Sequence, residues 1–212
     1  MALPLSLLLV LVVVSCGPSE SLGCDLPQNH IQLSKDNLVL LRQMRRISNS
    51  TCLNDTKDFR FPRAVVKGSQ VQKVQAISVL HGMLQHISDL LLTENTSAAW
   101  NTTLLNQVRM GLYRQLEDLE ACLVRDMGEE GTAPPSQGPT LAVSRYFEGI
   151  CFYLKEKQYS DCAWEAVRVE IMRSLSSIIT LQERLSNMDR DQRSPWSRCH
   201  WRVCWIAPAH RT

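Results

Sequence analysis

The sequence predicts an all-α fold, an up-up-down-down four-helix bundle with a fifth helix and long crossover loops. Three observations point there. Apolar residues recur at three- and four-residue spacing along most of the chain. No stretch alternates apolar and polar residues as a half-buried strand does. Aromatics make up only 6% of the residues, and Leu, Ile and Val dominate instead.

The elements follow in order. Leu5 to Val14 is apolar except for Ser6, and it is too short to cross a bilayer, which needs roughly 20 such residues. Ser21 and Gly23 then occupy the −3 and −1 positions before Cys24. Residues 1–23 read as a secretory signal peptide, although its start lacks Lys and Arg. A first helix is expected over Leu38 to Ile47, with Leu40, Leu41, Met44 and Ile47 on a broad apolar face. Ser48 to Gln70 contains Pro62 and Gly68 and reads as a long loop. Ile77, Leu80, Leu84, Ile87 and Leu91 define a second helix, and Thr93 to Ala99 is a short polar break. Leu105, Val108, Leu112, Leu116, Leu119 and Leu123 define a third. Gly128 to Pro139, with three Pro and three Gly, reads as a second long loop. Val143, Phe147, Ile150 and Leu154 mark the fourth helix, and Lys155 to Asp161 is another short break. Trp164, Val167, Ile171, Leu175 and Ile178 mark the fifth. Connections that run long, short, long and short suit overhand crossovers.

Charge and cysteine content bound the function. Of the 21 acidic residues Glu20 alone lies in the leader, and none of the 23 basic ones does. The resulting excess of cations sits after Pro195, as Arg198, Arg202 and Arg211. Residues 24–194 are formally neutral, without the concentrated basic surface that binds nucleic acid. No later segment is apolar enough for stable membrane insertion. Of the 8 cysteines, Cys16 leaves with the leader, so an odd number remains. Export favours disulfides. Cys24, Cys52, Cys122 and Cys162 permit three pairings, each cross-link contributing roughly 2–4 kcal/mol. Sequons for N-glycosylation stand at Asn49, Asn54, Asn95 and Asn101.

Catalytic chemistry finds little to build on. His81 and His86 are five residues apart and do not share a helix face, whereas a zinc pair on a helix is spaced by four. No Gly-rich phosphate loop or Ser-centred elbow occurs. Cys151 sits at the edge of a helical apolar face and reads as a partly buried free thiol. Cys199 and Cys204 flank His200 without zinc-knuckle spacing or a second pair. No catalytic, cofactor or metal site is expected.

The fifth helix carries a more informative surface. Its core stripe is centred between Val167 and Leu175, and Val169 lies nearly opposite on a wheel of about 100° per residue. Met172 is well off the stripe, flanked by Arg168, Arg173 and Ser176. Two readings stand open. One is a partner-binding patch. The other is scattered surface residues with helix ion pairs, Glu165 with Arg168 and Glu170 with Arg173.

Longer runs carry a specific resemblance. Cys24-Asp-Leu-Pro-Gln-Asn-His, Leu40-Leu-Arg-Gln-Met-Arg-Arg-Ile-Ser, Lys57-Asp-Phe-Arg-Phe-Pro, Ser97-Ala-Ala-Trp-Asn-Thr-Thr-Leu-Leu and Tyr153-Leu-Lys-Glu-Lys, with the following Tyr-Ser-Asp-Cys-Ala-Trp-Glu, resemble type I interferons. The omega and tau subgroups are most similar, and the resemblance covers about residues 1–194. It implies a secreted, monomeric helical cytokine that bridges the two chains of the type I interferon receptor. Signalling through Janus kinases and STAT factors would follow, with antiviral and antiproliferative outcomes. It also implies the pairings Cys24–Cys122 and Cys52–Cys162, leaving Cys151 odd. The implied high-affinity receptor face comprises Leu53, Arg168, Val169, Met172, Arg173 and Ser176. The second receptor chain would meet the helices of His81–Thr93 and Leu104–Tyr113 and the start of the fourth helix, through Gln85, Asp89, Thr93, Leu104, Tyr113 and Arg145.

Three departures fall on those expected surfaces. Thr56 stands where relatives commonly have Arg, and it completes the Asn54 sequon. Gly82 replaces a usual Glu, and Ser144 a usual basic residue. They raise the alternative of a weak agonist or decoy of the same receptor. The segment 195–212, with Trp196, Trp201 and Trp205, extends beyond the relatives' usual end near Ser194. It reads as a disordered C-terminal extension.

Overall fold

The computed structural model describes residues 29–44, 47, 51–52, 55, 57–67, 72–127 and 137–193. Seven helices lie among them: α1 (Asn29–Gln43), α2 (Arg63–Lys67), α3 (Lys73–Leu92), α4 (Glu94–Ala99), α5 (Thr102–Met127), α6 (Gln137–Glu156) and α7 (Asp161–Arg193). The leader, Cys24, Leu53, Thr56, the Asn49 and Asn54 sequons and the tail with Cys199 and Cys204 lie outside the described residues.

The apolar stripes become one core. Ile77, Leu80, Leu84, Ile87 and Leu91 are fully or almost fully buried, as are Val167, Ile171, Leu175 and Ile178. Each such side chain contributes about 1.5–3 kcal/mol by leaving water.

Pairings between helices set their directions. From α1, His30 meets Asp118 at 2.9 Å and Ser34 donates to Gln115 at 2.9 Å, so α1 and α5 run antiparallel. Lys35 pairs with Glu183 at 3.9 Å and the Leu41 carbonyl with Arg168 at 2.9 Å, so α7 also opposes α1. His81 faces Glu120 at 3.6 Å and the Leu91 carbonyl accepts from Arg109 at 2.9 Å, so α3 opposes α5. Hence α1 and α3 point up and α5 and α7 down. The remaining long helix, α6, runs alongside α3 in the same sense. His86 meets Ser144 at 3.2 Å, and Asp89 and Thr93 share a groove with Cys151 and Lys155 farther along.

A polar seam runs between α1, α5 and α7. Gln115 accepts from Ser34 and from Gln182, each at 2.9 Å, and donates to the Gly111 carbonyl at 3.2 Å. Gly111 is where Asn37 crosses α5, and a methyl group there would lie 2.6 Å from Asn37 Oδ1. A side chain at this position would force buried Asn37 to shift.

Helix boundaries depart from the sequence reading in six places, two of them being the end of the first helix at Gln43 rather than Ile47 and the short helix α2 inside the expected first loop. The first helix starts at Asn29, because His30, Ser34 and Asn37 are polar side chains buried on an inner face that periodicity of apolar residues does not reveal. The polar break after Thr93 is helical over Glu94–Ala99. There the Thr96 hydroxyl bonds back to the Leu91 carbonyl at 2.9 Å, and Arg109 joins the same carbonyl. The fourth helix begins at Gln137, with Pro139 inside its first turn, where no intrahelical donor is needed. The fifth reaches Arg193, its stripe continued by buried Leu181 and Leu185.

The α6–α7 turn closes without glycine. Tyr159 N–H donates to the Leu154 carbonyl at 2.9 Å and Gln158 N–H to that of Lys155 at 3.1 Å, the two bonds of a Schellman ending. Gln158 and Tyr159 adopt φ of 50° and 54°. Ser160 then caps α7 by accepting from Ala163 N–H at 3.3 Å.

The first loop is strapped across α6 and α7. Cys52 is bonded to Cys162, closing a sequence separation of 110 residues. Asp55 pairs with Lys157 at 2.9 Å, and its carbonyl accepts from the Tyr153 hydroxyl. Phe59 packs edge-on against Tyr153 and Phe61 against Tyr146. Arg184 then donates to the Val66 carbonyl. Cys122 is also disulfide-bonded.

Candidate functional site

The outer face of α7 carries a patch made by residues that periodicity directs away from the core. Val169 is 39% exposed, and Arg173 and Ser176 are exposed beside it. Met172 is partly buried, packed against the core edge. Ser176 donates its hydroxyl to the Met172 carbonyl at 2.9 Å, keeping its oxygen as an acceptor toward solvent.

Arg168 requires a correction. The wheel set it with the outer residues, but it is only 4% exposed. Its guanidinium forks onto Glu165 at 2.9 and 2.6 Å, and Nη1 reaches the Leu41 carbonyl at 2.9 Å and Met172 Sδ at 3.0 Å. The orphan carbonyls at the end of α1 and a buried carboxylate draw it inward. Arg168 therefore supports Met172 from beneath rather than standing beside it. The second ion pair weighed from sequence also forms, Arg173 Nη1 lying 3.4 Å from Glu170.

A groove of about 250 Å³ joins this patch to the first loop, with Phe61, Arg63 and Val66 facing Arg173, Ser176, Ser177 and Thr180. Phe61, Arg63 and Thr180 escaped the sequence reading. Phe61 had a signal, its alternation with Phe59 in Lys57-Asp-Phe-Arg-Phe-Pro. Leu53 lies outside the described residues, between the anchors Cys52 and Asp55.

A second surface gathers part of the second expected set. Gln85 donates to Asp89 at 2.8 Å. Asp89 and Thr93 border a groove of about 550 Å³ between α3 and α6, walled by Leu90, Phe147, Cys151 and Phe152. Phe152 is 66% exposed. Arg145 borders a different hollow, with Lys57, Arg60 and Glu148. On α5, Tyr113 is exposed and Leu104 is partly buried against the core. A hydrogen bond from the Tyr113 hydroxyl to the negative Glu117 raises that phenol above its ordinary pKa.

The titratable groups serve packing. His86 stacks on Phe147 at 5.1 Å, and burial holds its pKa below the ordinary 6.5. His81 faces Glu120 instead. Cys151 is free and exposed rather than partly buried, because α6 turns that edge toward the open groove. Desolvation still raises its thiol pKa, so it is largely protonated at neutral pH. Among the described residues no group of His, Cys, Asp or Glu is arranged to hold a metal.

Asn95 and Asn101 are both exposed. Asn101 also caps α5, its Oδ1 accepting from Leu104 N–H at 3.1 Å. Ser144 is the partner of His86, at 3.2 Å. A methyl group added at Gly82 would meet nothing within 4 Å, so the helix surface there is bare.

Comparison with known proteins gives a single answer. The interferon alpha/beta domain matches residues 26–185. Interferon omega-1 of Bos taurus is 60% identical over 195 residues, spanning 92% of this chain and 100% of that protein. Interferon omega-1 of Homo sapiens is 58% identical over 191 residues, 90% of this chain and 98% of that protein. Interferon tau of Cervus elaphus is 57% identical over 195 residues, with 92% and 100% covered. Among solved structures, zebrafish interferon 2 superposes with a TM-score of 0.62 at 27% identity, over 74% of this chain and 99% of that one. The helical bundle and these matches agree: the chain belongs to the interferon alpha/beta family, a family of secreted antiviral cytokines and not of enzymes.

Proposed function

We propose that residues 24–194, released from the leader 1–23, act as a monomeric ligand that joins the two chains of the type I interferon receptor. Janus kinase and STAT activation then drives the antiviral and antiproliferative response. The observation that carries this reading is the outer face of α7, where Val169 and Arg173 stand clear of the core and Arg173 shares a groove with the first loop. An apolar centre bordered by arginine is the composition of a protein-binding hot spot. Val169, Met172, Arg173 and Ser176, with Leu53, engage the high-affinity chain. Gln85, Asp89, Thr93, Leu104, Tyr113 and Arg145 serve the second chain. No described helix is long and apolar enough to cross a membrane, in keeping with action from solution.

One observation favours the alternative of a weak agonist or decoy. Gly82 leaves bare surface one turn before Gln85 on the second face. The Asn54 sequon completed by Thr56 would mask the first face in the same sense. The test is STAT phosphorylation in receptor-bearing cells given the secreted protein, with and without enzymatic deglycosylation. A receptor-dependent response at low dose supports the agonist. A response only after deglycosylation assigns glycan masking. Silence in both arms from folded protein leaves the decoy and excludes the agonist.

A further inference from the structure

Two helices and the first loop converge on one buried carboxylate beneath the α7 patch. Glu170 is 3% exposed. Its Oε1 accepts from the Tyr146 hydroxyl at 2.6 Å, and that hydroxyl also meets Ser174 at 3.1 Å. Phe61 seats edge-on against the Tyr146 ring, at 5.2 Å between centroids. Arg173 comes down onto the same carboxylate from outside, Nη1 lying 3.4 Å from Oε2, with 45% of its side chain exposed.

The arrangement fixes Arg173 without consuming it. A guanidinium presents five donors, and here only Nη1 contacts the carboxylate; Nε and Nη2 make no hydrogen bond among the described residues. A free arginine loses rotamer freedom when a partner captures it, and that loss subtracts from affinity. Glu170 has already restricted the side chain and is itself immobilised by Tyr146. The carboxylate is neutralised locally by Arg173, which offsets the desolvation of a buried charge.

We infer that Glu170 is a positioning residue for Arg173, holding its guanidinium ready for an acceptor on the receptor, and that Tyr146 fixes Glu170 in turn. This rests on the receptor reading given above. It adds two residues that touch no partner themselves, and it links the seating of Phe61 in the first loop to the aim of Arg173 on α7.

The experiment is capture of the full secreted chain by an immobilised soluble ectodomain of the high-affinity receptor chain. Four proteins are compared: the unsubstituted chain, Glu170→Gln, Arg173→Ala and the double variant. Glu170→Gln keeps shape and an acceptor for Tyr146. It is expected to weaken capture roughly three- to tenfold, the cost of ordering one long side chain. In the Arg173→Ala background the same substitution is expected to change capture less than about twofold. Equal weakening in both backgrounds, or none in either, overturns the inference. Should Glu170→Gln lower the melting temperature, Tyr146→Phe provides the second test, since it frees Glu170 while keeping the ring. Its loss of capture must also vanish without Arg173, and persistence there overturns the inference. Failure of the unsubstituted folded chain to be captured overturns the receptor reading and this inference together.

Discussion

Arg168 on α7 donates to the carbonyl of Leu41 near the end of α1, at 2.9 Å, while its other nitrogens clasp Glu165. One side chain thus ends one helix and braces another. Arg173, five residues on, stands outside, with 45% of its side chain exposed. Arg168→Ala is predicted to destabilise the protein by about 3–5 kcal/mol, because Glu165 is left charged and buried. Arg173→Ala should cost clearly less stability, since Arg173 meets Glu170 through a single 3.4 Å contact from a half-exposed side chain and Glu170 keeps the Tyr146 hydrogen bond, and should weaken receptor capture. Urea unfolding beside receptor capture separates the two; a stable, capture-deficient Arg168→Ala protein would contradict this assignment.

Two helical glycines should respond in opposite senses. At Gly82 nothing lies within 4 Å of an added methyl, whereas at Gly111 Asn37 stands 2.6 Å away. Gly82→Ala is predicted to stabilise by about 0.5–1 kcal/mol through helix propensity. Gly111→Ala should destabilise by about 1–3 kcal/mol through overpacking. Thermal melts of both variants check the pair, and a shift of the same sign in both would refute the reading.

Asn101 combines a sequon with an N-cap. The cap uses Oδ1, while a glycan is attached through Nδ2, so the two roles are compatible. In unglycosylated protein, Asn101→Asp and Thr103→Ala are expected to keep full stability. Asn101→Gln should lose about 1 kcal/mol with the cap. Equal stability of all three would show that the cap contributes nothing.

The pH dependence follows from His86. Its folded pKa is lowered by burial, so the unfolded chain binds the proton more readily. The stability associated with neutral His86 is complete above the unfolded value of about 6.5 and declines as pH falls below it, down to the folded pKa. His86→Gln should flatten that part of the stability curve relative to the unsubstituted protein. Parallel curves from pH 7 to 5 would rule out the contribution.

Much of this architecture was legible in the sequence because the core stripes are unmixed. Ile77 through Leu91 and Trp164 through Ile178 read directly as faces and are buried as faces. The start of α1 was hidden, since His30, Ser34 and Asn37 face inward as polar groups. At the candidate site the wheel placed Val169 and Arg173 correctly but misplaced Arg168. An angle around one helix carries no knowledge of the Leu41 carbonyl from another. Arg63 was equally out of reach, because the path of the first loop depends on contacts with Tyr146, Tyr153 and Arg184.

The polar seam has a consequence for how the molecule opens. Three of the four buried side chains of α1, His30, Ser34 and Asn37, are polar, whereas nine of the ten in α3 are apolar. Hydrogen bonds net less stability than buried apolar area, and they are readily exchanged for water. The first helix should therefore detach locally before the rest of the bundle yields, as the least protected cooperative unit. Amide hydrogen exchange would show α1 exchanging by a low-energy opening while α3 and α7 exchange only with global unfolding. Equal protection of α1 and α3 would exclude it. A native molecule in that state keeps its α3–α6 groove but releases the contact of Leu41 with Arg168, so the brace under Met172 loosens whenever the first helix lifts.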